Sequence, residues 1–398
     1  MIRKIRIGEL GVIITGNTPP RKKPEYYGTS IPFIKATDID EASKYTHTPE
    51  EFYSEIGYQK YRKSLIPKGS TCVVTIGSVG KKMTMACREC FINQAMNAIV
   101  PSESYDPEYV YYVVKYNLHK LKSLDSGTAS GRENISKSAF SNLEIDVIDN
   151  LETQRKIGLA LSAYDLLIEN NQKQIKLLEE AAQRLYKEWF VDLRFPSYED
   201  TRIKDGVPEG WVRGTLADII KETGIRISKD NRESYTYYLP IDCLPQKSLA
   251  YIESNTIELA ESSLIAFKTG DIIFGAMRPY FHKVVVARDD GITRTTCLVL
   301  NAKDREYWAY AVMLMFSCNT IEYATKISVG TTIPYTRWKD LSEMPVLIPR
   351  KEVAICFGEN IGPIIAEINR LAKQVTLLQR ARDGLLPKLM SGEIEHIS

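Results

Sequence analysis

Cysteine, histidine and long apolar runs are scarce in this chain, and each shortage closes off a class of function. Seven cysteines are scattered over 398 residues. An odd number without framework spacing argues against a disulfide-stapled secreted fold and for a reducing cytoplasm. The four histidines are dispersed, so Cys87-Arg88-Glu89-Cys90 is a lone Cys-x-x-Cys, half of what a tetrahedral zinc site requires. No uninterrupted apolar stretch reaches membrane-spanning length. The start, Met1-Ile2-Arg3-Lys4, runs into a strand-like segment without a signal-peptide core. A soluble, cytoplasmic protein is expected. Charge of one sign is also lacking: 52 Lys and Arg against 50 Asp and Glu give a net charge of +2. Any nucleic-acid face must therefore come from local clustering.

Catalytic signatures are missing too. No acidic residue has a lysine two positions on, as the common metal-dependent nuclease element requires. Asn17-Thr18-Pro19-Pro20 approaches an amino-methyltransferase loop but has an intervening threonine and no aromatic follower, and reads as a turn. No Gly-x-Gly-x-x-Gly element is present, and Gly77-Ser78-Val79-Gly80-Lys81 is too short for a phosphate-binding loop. The chain is expected to be non-catalytic and to need no cofactor or metal of its own.

What the chain does have is an internal repeat at an offset of 200 residues. Ile168, Lys173, Gln174, Ile175, Leu177, Leu178 and Leu185 match Ile368, Lys373, Gln374, Val375, Leu377, Leu378 and Leu385. A period this long is no solenoid, so each copy must be a globular unit plus a helix. Residues 1 to about 150 read as mixed strands and turns. Ile31–Ile34, residues 71–76 and residues 97–100 are β-type runs, and Pro107 to Leu121 has helical spacing. Residues 270–274 and 293–300 echo the first copy.

From Glu152 to Trp189 the pattern becomes a stripe alternating by four and three: Ile157, Leu161, Tyr164, Ile168, Asn171, Ile175, Leu178, Ala182, Leu185 and Trp189. This is a heptad seam, and such a rod is roughly 55 Å long. The second rod carries Phe357, Ile361, Ile364, Ile368, Leu371, Val375, Leu378, Leu385 and Leu389. Pro363 is expected to kink it or mark its start, Arg382 leaves a charge on the stripe, and Pro387 is expected to close it before Gly392. The two stripes are expected to bury each other as an antiparallel pair, with Ile157, Leu161, Tyr164, Ile168, Asn171, Ile175, Leu178 and Leu185 facing Ile361, Ile364, Ile368, Leu371, Val375, Leu378 and Leu385.

Basic and aromatic residues cluster at parallel places in both copies. The first has Arg21, Lys22 and Lys23 before Tyr26-Tyr27, then Lys60 and Arg62 interleaved with Tyr58 and Tyr61, and Lys81-Lys82. The second has Arg226, then Arg278, Tyr280, Phe281 and Lys283, and Arg294. Such side chains bond phosphates without regard to sequence, and some reach base edges. Each copy also has a loop of small and hydroxyl residues that lets the backbone approach a phosphate. Thr128, Ser130 and Arg132 lie in the first, and Thr331 and Thr332 in the second. Asn17 and Thr18 join this set of candidate DNA contacts.

Taken in order, these marks resemble the specificity subunit of type I restriction–modification enzymes, over nearly the whole chain. The residues that carry the resemblance are Thr15-Gly16-Asn17-Thr18-Pro19, then Tyr27-Gly28-Thr29-Ser30-Ile31-Pro32-Phe33-Ile34. They also include both Ser/Gly/Thr loops, Gln154-Arg155, and Leu385 through Ile394. The second copy departs from the pattern, with only Thr223-Gly224-Ile225-Arg226 where the first has its Gly-x-Thr-Pro loop. The resemblance implies an α+β fold: two mixed α/β target recognition domains, 1–150 and 196–350, separated by two long antiparallel coiled-coil helices, 151–195 and 351–398, about a pseudo-twofold repeat. It also implies a bipartite target on double-stranded DNA, two methyltransferase subunits docked on the helices, and restriction subunits that translocate and cleave. Two alternatives stand beside it: a duplicated coiled-coil scaffold that binds proteins only, and a fused restriction or modification enzyme with an unrecognised site.

Overall fold

A computed structural model describes residues 2–125, 133–261 and 263–394. The chain divides into two compact units, one of residues 1–169 with 378–398, the other of residues 170–377. Both divisions fall inside helices. Leu151–Tyr186 is one α-helix of 36 residues, prolonged by a wider turn to Val191, and Lys351–Met390 is another of 40 residues.

In the first unit, Ile2–Arg6 pairs antiparallel with Glu144–Ile148, placing Ile2 opposite Ile148. The main sheet has the order Gly11–Thr15, Met96–Pro101, Thr71–Val74, Met83–Met85, all antiparallel. Thr71–Val74 is buried on both faces, which is why it reads as a run of β-type residues rather than an alternation. A second sheet takes the order Tyr27–Gly28, Glu51–Tyr53, Ile31–Ile34, Phe91–Ile92. The helix Pro107–Asn117 starts from Asp106, whose carboxylate accepts the Tyr109 N–H at 3.0 Å, with Pro107 at the first helical position. Tyr109 through Val114 are all buried, so this helix lies within the core rather than on its surface. It gives way to a tighter 3-10 turn after Asn117, four residues before the expected end.

The second unit repeats this plan. Val212–Thr215 pairs with Pro345–Ile348, with Val212 opposite Ile348. Its main sheet has the order Ile220–Glu222, Cys297–Ala302, Ile272–Gly275, Val284–Val286, again antiparallel throughout. The additional sheet differs: Ile225–Ile227, Leu264–Phe267 and Gly291–Arg294.

The expectation of two rods joined as a coiled coil is corrected. Mixed α/β domains are present, but the apolar stripes do not form a free-standing seam. Ile157 and Leu161 belong to a core cluster of the first unit together with Val110, Val113, Val147 and Leu389. Ala182 and Tyr186 belong to one of the second unit with Trp211, Tyr310 and Phe357. Even the mid-helix cluster of Ile175, Ile368, Leu371 and Ala372 includes Ala250 of the globular part. The buried line leaves the heptad positions accordingly. Tyr164, Leu178 and Leu185 are half-buried, while Asp165, Glu179 and Tyr186 one place on are buried; in the second helix Ile365 and Leu386 are buried and Ile364 and Leu385 half-buried. A helix packed on a globular core buries a stripe broader than a two-position seam, and that stripe admits polar residues wherever partners await them.

The second helix is continuous through Pro363, which is therefore not its start, and it ends at Met390, three residues beyond Pro387 and before Gly392. Pro363 lacks the N–H that would meet the Glu359 carbonyl, and both residues face solvent, where water satisfies the freed oxygen. Among the described residues, no helix is long and apolar enough to cross a membrane.

Candidate nucleic-acid interface

The candidate contacts fall on several elements: the turns that follow Thr71–Val74 and Ile272–Gly275, the helix Glu55–Tyr61 that carries Lys60, and the additional-sheet strands that carry Arg226 and Arg294. In the first unit, the strand Thr71–Val74 leads into the turn 77–80, which is fastened to the segment after residue 132. Ile135 N–H donates to the Thr75 carbonyl at 2.9 Å, Gly77 N–H to the Glu133 carbonyl at 3.0 Å, and Val79 N–H to the Glu133 carboxylate at 3.0 Å. The second unit builds the same joint. Thr336 N–H donates to the Ala276 carbonyl at 2.9 Å, Arg278 N–H donates to the Pro334 carbonyl at 2.7 Å, and Met277 bridges Tyr335. Val329 and Tyr335 exchange two bonds of 2.9 Å that close the loop bearing Thr331 and Thr332.

The structure sorts the sequence candidates into committed and free side chains. Asn17 is committed: its amide donates to Ser64 Oγ at 2.8 Å and its Oδ1 accepts from Tyr53 OH at 2.9 Å. Thr18 donates to the Gln94 amide oxygen. Arg21 pairs with Glu51 at 2.8 Å and lies over the Tyr27 ring, and Lys23 pairs with Glu25 at 3.6 Å. Lys82 and Lys283 are half-buried anchors. Lys82 Nζ donates to the Ile39 carbonyl at 2.9 Å and Lys283 Nζ to the Ile241 carbonyl at 2.8 Å, so the repeat extends to a lysine that pins the same kind of turn. Lys22, Lys60, Arg62 and Lys81 are exposed and without ion-pair partners among the described residues. Thr128, Ser130 and Arg132 lie outside the described residues.

The second unit gathers its candidates more tightly. The turn carrying Arg278 and Tyr280 and the loop carrying Thr331 and Thr332 share the joint just described. Tyr335 OH donates to the Thr295 carbonyl at 3.3 Å, next to Arg294. Arg294 in turn bonds Tyr238, whose hydroxyl burial pushes up. Arg226 is exposed on the outer strand of the additional sheet, close enough to Tyr335 to act on its hydroxyl.

The sequence gives little warning of a buried ionic cluster in the first unit. Lys44 bonds Glu108, and its ammonium lies 3.0 Å from Ser162 Oγ and 4.8 Å from the Tyr112 ring centre. Tyr112 OH donates to Asp165 at 2.5 Å, and the other Asp165 oxygen takes Arg382. This answers the charge on the second stripe: Arg382 is paired with an acid one place off the heptad of the first. The one signal in the sequence is Arg382 itself, a charge on an apolar stripe that needs a buried acid beside it. In the second unit, Glu179 is buried and accepts from Ser248 Oγ at 2.6 Å and Leu249 N–H at 2.7 Å. Of the Cys-x-x-Cys pair, Cys90 is a core residue whose thiol burial pushes up to about 12.

Exposed basic side chains beside a joint that is built twice on one strand order are the candidates for DNA contact. Residues 2–180 match the family described as the type I restriction modification DNA specificity domain. The chain is 28% identical to the specificity subunit of the type I restriction enzyme MjaIX of Methanocaldococcus jannaschii, over 98% of this chain and 92% of that protein. It is 35% identical to the HindI specificity subunit of Haemophilus influenzae over 35% of this chain and 30% of that one. In fold it is similar to the type I restriction–modification S subunit of M. genitalium, with a TM-score of 0.64 at 16% identity, covering 98% of this chain and 96% of that one. The type I restriction modification DNA specificity domain thus covers the first part of the chain, and over nearly its whole length the chain is similar to a specificity subunit of a type I restriction enzyme.

Proposed function

We propose that each globular domain, 1–150 and 196–350, is a target recognition domain that reads one half of a bipartite sequence on double-stranded DNA, while the helical segments 151–195 and 351–398 set the unspecified spacer. The observation that carries this reading is the joint between the turn after the third main-sheet strand and a later segment, residues 133–135 in the first unit and 334–336 in the second, present twice on the same strand order. Lys22, Lys60, Arg62 and Lys81 in the first domain, and Arg226, Arg278 and Arg294 in the second, supply phosphate and base contacts, helped by Thr128, Ser130, Arg132, Thr331 and Thr332. Asn17, Thr18, Arg21, Lys23, Lys82 and Lys283 hold the loops in place behind them.

Two methyltransferase subunits dock on the long helices. Support comes from side chains that neither unit buries: Leu159, Leu166, Leu167 and Leu177 on the first helix and Leu377 on the second are half-exposed or more. Large apolar residues left exposed along one element mark an interaction surface. Restriction subunits then join the assembly to translocate and cleave. The test is to express this chain with its methyltransferase and map modified adenines across the genome. A motif of two defined parts and an undefined gap is expected; a single continuous motif overturns the division of labour.

A further inference from the structure

The turn after the third main-sheet strand solves one backbone problem in two ways. Lys82 and Lys283 are equivalent anchors, so residues 77–81 correspond to residues 278–282. In the first unit the left-handed positions are glycines, Gly77 with φ +95° and Gly80 with φ +69°. In the second unit Arg278 has φ +49° and His282 φ +52°. Left-handed backbone is free for glycine and costly for a residue with a Cβ. Arg278 thus keeps a side chain at the left-handed position where its sister uses Gly77, and the second left-handed residue moves from Gly80 to His282, one place beyond Gly80's counterpart Phe281.

Strain of this kind persists only where the surroundings over-determine it, and here they do. Arg278 N–H is held by the Pro334 carbonyl at 2.7 Å, Pro279 is buried, and His282 Nε2 donates to the Phe316 carbonyl at 2.9 Å while its own carbonyl accepts the Lys247 N–H at 2.8 Å. What the strained turn presents is two adjacent rings. Tyr280 is 49% and Phe281 36% exposed, with ring centres 4.8 Å apart. Their counterparts are Val79, which is buried, and Gly80, so the first copy has no such feature.

We propose that Tyr280 and Phe281 form an aromatic wedge that enters the base stack of the half-site read by the second domain. The proposal rests on the DNA-recognition reading above and adds its mode. Apolar and aromatic side chains inserted at a base step unstack it and kink the duplex, which creates preference for deformable steps without hydrogen bonds to bases. A turn already fixed by its neighbours loses little freedom on insertion. Arg278, at the foot of the wedge, is placed to hold a phosphate beside the opened step.

The experiment uses the full chain in complex with its methyltransferase, and duplexes carrying the mapped motif with 2-aminopurine placed at successive steps of the second half-site. Binding is expected to raise the fluorescence at one step. The Y280A/F281A double variant is expected to lose that rise and to bind about tenfold more weakly or worse, while Y280F/F281Y, which keeps both rings, retains it. Sequence-specific binding with no fluorescence rise at any step overturns the wedge, as does unchanged affinity of Y280A/F281A. A complex that binds none of these duplexes removes the DNA reading itself, and the wedge with it. Retained recognition of the first half-site by Y280A/F281A separates loss of the wedge from loss of folding.

Discussion

At the residue scale, the charges buried along the long helices act through what they are paired with. Arg382 and Asp165 are each about 5% exposed and bond one another. Removing one partner strands the other in the core, at roughly 3–5 kcal/mol, while replacing both by apolar residues of similar volume is far milder. Arg382→Ala is therefore expected to lower the thermal midpoint of the full chain by much more than the double change R382M/D165L; equal losses would show that the pair is not the cause. Glu179 makes a prediction with a pH sign. Burial raises its carboxyl above the ordinary 4.5, against the bonds from Ser248 and the Leu249 and Ala250 amides. The native state then holds that proton to higher pH than the unfolded chain. Its contribution to stability falls as pH rises from about 4.5 through the raised value, and is constant above it. Glu179→Gln keeps an acceptor oxygen and removes the charge, so the difference in thermal midpoint between variant and wild type should widen in the variant's favour from pH 4.5 to neutrality. A difference that stays flat over that range would refute the assignment.

At the element scale, the two long helices contain glycines exactly one repeat apart that meet different surroundings, Gly158 and Gly358. A Cβ on Gly158 would lie 2.7 Å from an Asp106 carboxylate oxygen and 2.8 Å from Glu108 Cβ, whereas one on Gly358 would meet nothing nearer than Ala309 Cβ at 3.9 Å. Gly158→Ala is thus expected to destabilise by about 1–3 kcal/mol through overpacking. Gly358→Ala should stabilise by up to about 1 kcal/mol, the helix propensity gained at an unobstructed position. Chemical denaturation of both variants checks the pair, and destabilisation by both would mean that the second helix packs more closely than this. The same contrast shows where sequence is legible. Strands at residues 31–34, 71–74 and 96–101 are visible because buried strands concentrate β-branched and apolar residues. The helical stripes are visible because their period is long and regular. Which residue of a stripe is buried is not visible, since Asp165 or Tyr164 can occupy the line and only the neighbouring Lys44, Tyr112 and Arg382 decide between them. The roles of Lys82 and Lys283 are hidden for a related reason: a lysine that donates to a carbonyl 43 or 42 residues away is spelled like one that waits for a phosphate.

At the scale of the whole molecule, the units divide inside both long helices, between Glu169 and Asn170 and between Leu377 and Leu378. The hydrophobic clusters built on the long helices each draw their residues from one unit, so each unit keeps its own core when the helices are lengthened at those points. If the helices set the spacer, four residues inserted at each division add roughly one turn, about 6 Å, or about two base pairs at 3.4 Å each. The loops proposed to read the half-sites lie away from both divisions and are unchanged by such an insertion. Adenine mapping of cells carrying the lengthened chain with its methyltransferase is therefore expected to return the two original half-sites with a longer gap. A changed half-site beside an unchanged gap would mean that the helices shape the reading loops rather than space them, and that the spacer is set by contacts outside both divisions.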